Sequence, residues 1–345
     1  MMNKINFQSL LKMNVNKPFR TLLFAILIVL FSNHDLYLKM DSYFLEANQE
    51  ARISLYNGTF EKSENIITRD RILDASIVHK GERKSIAQSL WKDQDSTITY
   101  FDFKGGEAGT FVAGVSTKER NIALSAEKFN DYLKHDGVLD MLTYRKENKL
   151  MNEDALEAYQ KHVKAIFQVG GEKTDDWKTV LGYPIEFVPK ENPYNKYSGE
   201  KIDVQLLLDG SPAVNQLVYA DYISTAKGHS HDSSNHNHSH SNNEEHSHTS
   251  GQQLRTDKNG IIKVDLPHDG IYYLRTIHMV PLKNEGNLTH RSKWATLTFE
   301  VSHKHGLDTH THESHDHEDG IPTWVFILGS ILLVGILFLL FRKKA

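Results

Sequence analysis

The sequence contains no cysteine among its 345 residues. This absence excludes disulfide bonds, thiolate metal ligands, a cysteine nucleophile and a lipid-modified N-terminal cysteine. The chain also lacks an excess of positive charge, since its formal net charge is −4 and its pI is near 6.6. A nucleic-acid partner would therefore receive no electrostatic support.

Common catalytic motifs are missing as well. The sequence has no Gly-x-Ser-x-Gly elbow, no His-Glu-x-x-His helix, no phosphate-binding loop and no dinucleotide fingerprint. Its 44 acidic residues include no pair that the sequence alone assigns to an acid and a base. We therefore predict that the protein is not an enzyme.

Histidine, in contrast, is concentrated in two polar stretches. Thirteen of the 20 histidines lie either in residues 228–250, which we call the first histidine tract, or in residues 303–320, the second histidine tract. The first tract contains no apolar residue, so it cannot contribute to a core. Both tracts are therefore predicted to be exposed to solvent.

The alternation of histidine with other residues favours metal binding. In an extended chain, residues i and i+2 point the same way, so each such pair of imidazoles can chelate one ion. Neutral imidazole suits divalent Ni, Co, Zn and Cu, whereas Ca²⁺ and Mg²⁺ prefer oxygen ligands. The predicted tract ligands are His229, His231, His236, His238, His240, His246, His248, His303, His305, His310, His312, His315 and His317.

Two other interpretations of the tracts stay open. They can serve as flexible linkers, although Ser, Gly or Glu alone would serve as well. They can also sense pH, because imidazole titrates at about pH 6.5. Protonation expels a bound metal, so pH sensing and metal capture are linked.

The two ends of the sequence predict export and a membrane anchor. Residues 1–33 read as a signal peptide region, with Lys17 and Arg20 before an apolar run at 21–31. An uncleaved signal anchor is an alternative to a cleaved signal, and Met13 is an alternative start. Residues 321–341 carry no charge and are long enough to span a bilayer. The basic tail at 342–345 is then cytoplasmic, and both tracts lie outside the cytoplasm.

Between these ends the sequence predicts a mainly β fold. Alternating and β-branched runs favour a first antiparallel β-sandwich module at 34–124 and a second at 183–301. The first tract is inserted in the second module, and residues 302–320 form a histidine-rich stalk. Weak similarity between the modules fits either a tandem repeat or independent use of the same strand and turn chemistry. A turn at 257–260 predicts a hairpin.

Residues 125–171 predict a two-helix insertion. Ser125 can cap a first helix, which Asp136 and Gly137 interrupt. Apolar residues then recur at helical spacing within 156–167, which predicts a second helix that ends at a glycine pair.

Several segments together resemble a bacterial periplasmic family described as a nickel or cobalt uptake component, a domain of unknown function. The resemblance covers residues 33–301 and rests on 34–37, 126–133, 167–170, 181–189 and 294–300. Separately, residues 255–275 resemble transthyretin-like and carboxypeptidase-regulatory-like sandwiches, through a Thr-Asp-x-x-Gly turn and a following Gly-x-Tyr.

Two histidines outside the tracts are candidate ligands. Cleavage after Ser32 would leave Asn33 and His34, whose amine, amide nitrogen and imidazole can chelate Cu²⁺ or Ni²⁺. The family usually starts with a small residue and then histidine, and Asn33 departs from that pattern. His278 matches a histidine that the family tends to carry, and a hydrogen-bonded strand residue is the alternative. His79, His135, His162 and His290 are interpreted as solvated surface residues.

These observations lead to one expected function and one rival. We expect a single-pass membrane protein whose extracytoplasmic part binds transition-metal ions and assists their uptake or buffering, with a metal permease as a possible partner. The rival is a cell-surface interaction module in which tandem sandwiches bind a protein or a glycan and the tracts act only as spacers.

Overall fold

The computed structural model describes residues 35–225, 251–283 and 285–303. These residues all fall in one compact unit. The predicted signal region, the first histidine tract, the second tract beyond His303 and the predicted span at 321–341 lie outside the described residues. In the part of the chain that is described, no helix is long and apolar enough to cross a membrane.

The described chain is mostly β-strand. The strands are β1 Asp35–Lys39, β2 Phe44–Leu45, β3 Glu50–Gly58, β4 Ile72–His79, β5 Glu82–Ser85, β6 Lys92–Gln94, β7 Ile98–Lys104, β8 Gly109–Thr117, β9 Arg120–Leu124, β10 Ala155–Val169, β11 Ile185–Pro189, β12 Glu200–Leu208, β13 Ser211–Pro212, β14 Leu217–Ser224, β15 Gln252–Arg255, β16 Ile261–Leu266, β17 Gly270–Pro281 and β18 His290–Val301. The helices are α1 Ala126–His135 and α2 Leu139–Glu147, and 3₁₀ turns cover Arg69–Arg71, Gln88–Leu90, Asp175–Lys178 and Pro193–Asn195.

The strands form three sheets in a sandwich-like arrangement. A central sheet has the order β15-β14-β17-β18-β10-β8-β4-β5, and β2 and β9 also pair with β10. A first outer sheet has the order β1-β3-β7-β6, and a second contains β11, β12, β13 and β16. Strand β10 pairs in parallel with β18 and antiparallel with β8. Main-chain hydrogen bonds thus join strands from both predicted modules.

Each face of the central sheet packs on a different core. In β8, Phe111 belongs to the core shared with the first outer sheet, whereas Val112 belongs to the core shared with the second. In β10, Phe167 and Ile166 divide in the same way. Neighbouring side chains of a strand point to opposite faces, so both faces of the central sheet are buried.

The predicted helix at 156–167 is wrong, because these residues lie in strand β10. Every residue from Lys161 to Val169 is buried in this strand. A strand that is buried on both faces loses its alternation of apolar and polar residues and cannot be told from a buried helix by periodicity. The spacing of its apolar residues therefore misled the assignment.

The interrupted helix is confirmed as α1 and α2. The Ser125 side chain accepts a hydrogen bond from the main-chain N–H of Lys128 at 3.5 Å, as the capping prediction required. Gly137 adopts a φ of 71° between the two helices, a conformation that favours glycine. The described ranges thus contain two α-helices, and the rest of their regular structure is mainly β-strand.

Candidate functional site

Both histidine tracts leave the described structure at the same end of neighbouring strands of the central sheet. We call this end the edge of the sheet. Strand β14 ends at Ser224, just before the first tract, and β18 ends at Val301, just before the second. Ser224 pairs with Gly270 of β17, and Gly270 pairs with Val301. Neighbouring strands lie about 4.8 Å apart, which separates Ser224 from Val301 by about 10 Å. Strand β15, which follows the first tract, pairs antiparallel with β14.

An open cavity of about 440 Å³ lies at this edge. We call it the edge cavity, and it is lined by Ser198, Tyr222, Ser224, His268, Asp269 and His303 among others. It therefore brings a predicted ligand, His303, together with residues from the turn before β17 and from the end of β14.

Asp269 holds the ring of His303. Nδ1 of His303 and Oδ2 of Asp269 form a hydrogen-bonded pair, in which the histidine side chain is 60% exposed and the aspartate side chain 24%. The second oxygen of Asp269, Oδ1, is buried and has no hydrogen-bond partner among the described residues. A carboxylate on Nδ1 fixes the tautomer and ring orientation that present Nε2 to a metal ion.

The electrostatic setting of Asp269 keeps it ionised. Burial raises the pKa of its carboxyl, but the Ser198 hydroxyl and the His303 ring lower that pKa more, and the net shift is downward. Asp269 is therefore a carboxylate at neutral pH.

His268 is held at the same edge by its main chain. The buried Tyr272 hydroxyl accepts a hydrogen bond from the main-chain N–H of His268 at 3.2 Å and donates one to its carbonyl at 2.8 Å. The His268 ring lies 5.4 Å from the Tyr222 ring. Sequence reasoning missed His268, although it lies two residues before β17, the strand that separates the two tract-bearing strands.

Gly270 permits the close packing of this edge. A Cβ atom at this position would lie 2.4 Å from the carbonyl oxygen of Ile223. Strand β17 therefore approaches β14 at a distance that only glycine allows, and the turn with His268 and Asp269 is held beside the end of β14.

His278 lies elsewhere on β17. It is eight residues from Gly270, roughly 26 Å along the strand, and thus outside the edge cavity. Its Nδ1 is hydrogen-bonded with the side-chain oxygen of Gln216 at 2.9 Å. Burial, and then the charge of Lys293, lower its pKa.

Across the described ranges, no three His, Asp or Glu side chains are grouped so as to hold a metal ion.

The other predicted ligands lie outside the described residues. They are His34, His229, His231, His236, His238, His240, His246, His248, His305, His310, His312, His315 and His317. Their role in metal binding stays a prediction.

The residue after His34 is anchored in the interior. Asp35 forms an ion pair with Arg275 at 2.8 Å, and both side chains are only 2% exposed. Arg275 also donates two hydrogen bonds to the carbonyl of Asp136, and Tyr37 donates one to Asp35. This pair ties the start of β1 to β17 and to the end of α1.

Two histidines interpreted as surface residues are buried instead. His162 is 1% exposed and His290 is 3% exposed, because β10 and β18 lie inside the central sheet. Burial lowers the pKa of each to about 4. His79 is half-buried and stacks on Phe111 at 3.9 Å, whereas His135 is exposed as expected.

The fold and this edge define a mainly β protein with sandwich-like sheets and a histidine-aspartate pair beside two histidine tracts. The model of the family described as "Domain of unknown function (DUF4198)" matches residues 32–280. The chain belongs to this family. No curated protein matches the chain.

Solved structures show only weak similarity. The D0-D1 domain of intimin is 10% identical, with 77% of this chain and 97% of that chain covered and a TM-score of 0.19. Trypsin-activated alpha-2-macroglobulin from Escherichia coli is 8% identical, with 79% and 16% covered and a TM-score of 0.21. Murine CEACAM1b is 5% identical, with 78% and 99% covered and a TM-score of 0.18. These scores are too low to transfer a fold or a function.

Proposed function

We propose that this protein binds divalent transition-metal ions outside the cytoplasm, where it is anchored in the membrane by residues 321–341, and that it assists the uptake or buffering of those ions. The observation that carries the proposal is the position of the tract ends. Ser224 and Val301 flank Gly270, beside the Asp269–His303 pair. Both tracts are therefore joined to the described part of the chain at a single edge.

Collection of ions follows from the chemistry of the tracts. Several weak imidazole pairs tethered to one edge give a high effective concentration of ligand, so an ion that leaves one pair is recaptured by another. Weak sites also release ions, as delivery to a partner such as a metal permease requires. Ni²⁺ and Co²⁺ are the expected ions from the family resemblance, and Zn²⁺ and Cu²⁺ suit the same ligands.

The test is a metal titration of the purified full-length protein with Ni²⁺, Co²⁺, Zn²⁺ and Cu²⁺ near neutral pH. The matched variant replaces the seven histidines of 228–250 with asparagine, which keeps length and polarity. We expect the variant to bind fewer ions per chain with little change in the tightest affinity. Absence of any bound ion at micromolar free metal in the wild-type protein would contradict the proposal and favour the interaction module with histidine-rich spacers.

A further inference from the structure

We infer that the edge cavity is a distinct exchange site for the metal cargo, in which His268 and His303 are the direct ligands and Asp269 is a positioning residue. This inference rests on the proposed function for the identity of the cargo. It adds a defined site on the folded protein, which uses His303, the first histidine of the second tract, and is separate from the other twelve tract histidines that collect ions.

The two proposed ligands come from different parts of the chain. His268 lies in the turn between β16 and β17, whereas His303 follows β18, and both line the edge cavity. The pairing of Gly270 with Val301 brings these two segments side by side. A site made from them therefore forms only in the folded protein.

Both ligand residues are attached to the fold before any ion arrives, His303 through its ring and His268 through its main chain. Asp269 holds Nδ1 of His303, so that a metal ion binds through Nε2. Tyr272 holds the main chain of His268 on both its N–H and its carbonyl. A carboxylate on the second ring nitrogen, like Asp269 on His303, is the contact that orients histidine ligands of metal sites in proteins.

Stability alone does not account for the Asp269–His303 pair. With the histidine 60% exposed, the pair contributes little to folding, because water screens exposed ion pairs. The Ser198 hydroxyl and the His303 ring both contact the Asp269 carboxylate in the wall of the edge cavity. Its role there is to orient a metal-binding imidazole.

A pair of imidazoles suits exchange better than storage. Structural zinc sites have four protein ligands, whereas sites that keep open positions bind water or an incoming group there. Two histidines leave open positions through which an ion can enter and leave. Imidazole ligands also favour Ni²⁺, Co²⁺, Zn²⁺ or Cu²⁺ over Ca²⁺ or Mg²⁺.

The experiment isolates this site from the tracts. In the full-length protein, the twelve tract histidines other than His303 are replaced with asparagine, and Co²⁺ is titrated while its visible absorption is recorded. We expect one Co²⁺ per chain in this background. His303→Ala or His268→Ala should abolish the signal, and Asp269→Asn should weaken binding by about 10- to 100-fold. His135→Ala, an exposed histidine on α1, is the matched control and should change nothing.

The outcomes separate this inference from the proposed function. If the wild-type protein binds several ions but the tract-replaced protein binds none, the tracts bind metal and the exchange site is refuted. If the tract-replaced protein binds one Co²⁺ and wild type binds no more, the exchange site stands and collection by the tracts is refuted. Binding of one ion that survives both His303→Ala and His268→Ala would also overturn the inference. Thermal unfolding of each variant checks that the fold is intact.

Discussion

Two side-chain pairs, Asp35–Arg275 and Asp269–His303, differ in how deeply they are buried. Asp35 and Arg275 are each 2% exposed, and Asp35 directly follows His34 in sequence. Asp269 and His303 are 24% and 60% exposed at the edge where the tracts begin. The first pair is part of the interior and joins β1 to β17, whereas the second is accessible to an ion. Burial thus distinguishes a pair that holds the fold from a pair that can act on a ligand.

The largest expected effect is on the buried pair. Asp35→Ala leaves Arg275 buried without its carboxylate, which should lower the free energy of unfolding by about 3–5 kcal/mol. Urea unfolding measures the change. The matched control is Asp140→Ala, which removes the partner of Arg255 from a pair that is 40% and 60% exposed and should cost less than about 1 kcal/mol. Equal costs for the two variants would contradict this assignment.

A smaller effect is expected when the buried His162 is replaced, namely a change in how much stability the protein loses at acid pH. Its folded-state pKa is lowered to about 4 by burial, below the unfolded value of 6.5. As the pH falls, the unfolded chain takes up the proton first, so stability is lost between pH 6.5 and 4. His162→Asn should therefore reduce the loss of unfolding free energy on acidification by about 3 kcal/mol.

Urea unfolding of His162→Asn at neutral pH and at acid pH gives this difference directly. His135→Asn, at an exposed position, should leave the acid loss as in the wild-type protein. A His162→Asn variant with the full wild-type loss would show that this imidazole is not kept neutral by burial.

The smallest effect on folding is expected at the exposed pair. Asp269→Asn should change the free energy of unfolding by less than about 1 kcal/mol, because the pair is screened by water. The same variant is expected to lose metal affinity at the edge cavity, so function and stability separate at this residue. A loss of stability comparable to that of Asp35→Ala would mean that Asp269 serves the fold.

Local signals in the sequence predicted much of the secondary structure. The cap at Ser125 and the break at Gly137 gave α1 and α2, and the turn at 257–260 is present, with Gly260 donating to the Asp257 carbonyl at 2.9 Å. The hairpin predicted from that turn is wrong, because β15 pairs with β14 and β16 pairs with β12. Turn chemistry is local, whereas the choice of partner strand depends on distant residues.

The candidate site likewise depends on strand pairing between distant residues, which local sequence signals do not predict. Ser224 and Val301 are far apart in sequence, and only strand pairing through Gly270 brings them together. His303 was predicted because it belongs to a repeated pattern. His268 stands alone in the sequence and lines the edge cavity only because its turn lies beside His303, so no periodicity could reveal it.

We propose that the edge of the central sheet collects transition-metal ions. The most direct measurement is equilibrium dialysis of the full-length protein against Ni²⁺ and, in parallel, against Ca²⁺, with the metal-to-protein ratio determined by elemental analysis. We expect several Ni²⁺ ions and no Ca²⁺ per chain near neutral pH, with Ni²⁺ released on acidification below the pKa of imidazole, about 6.5. A chain that retains no Ni²⁺, or retains Ca²⁺ equally well, would contradict it.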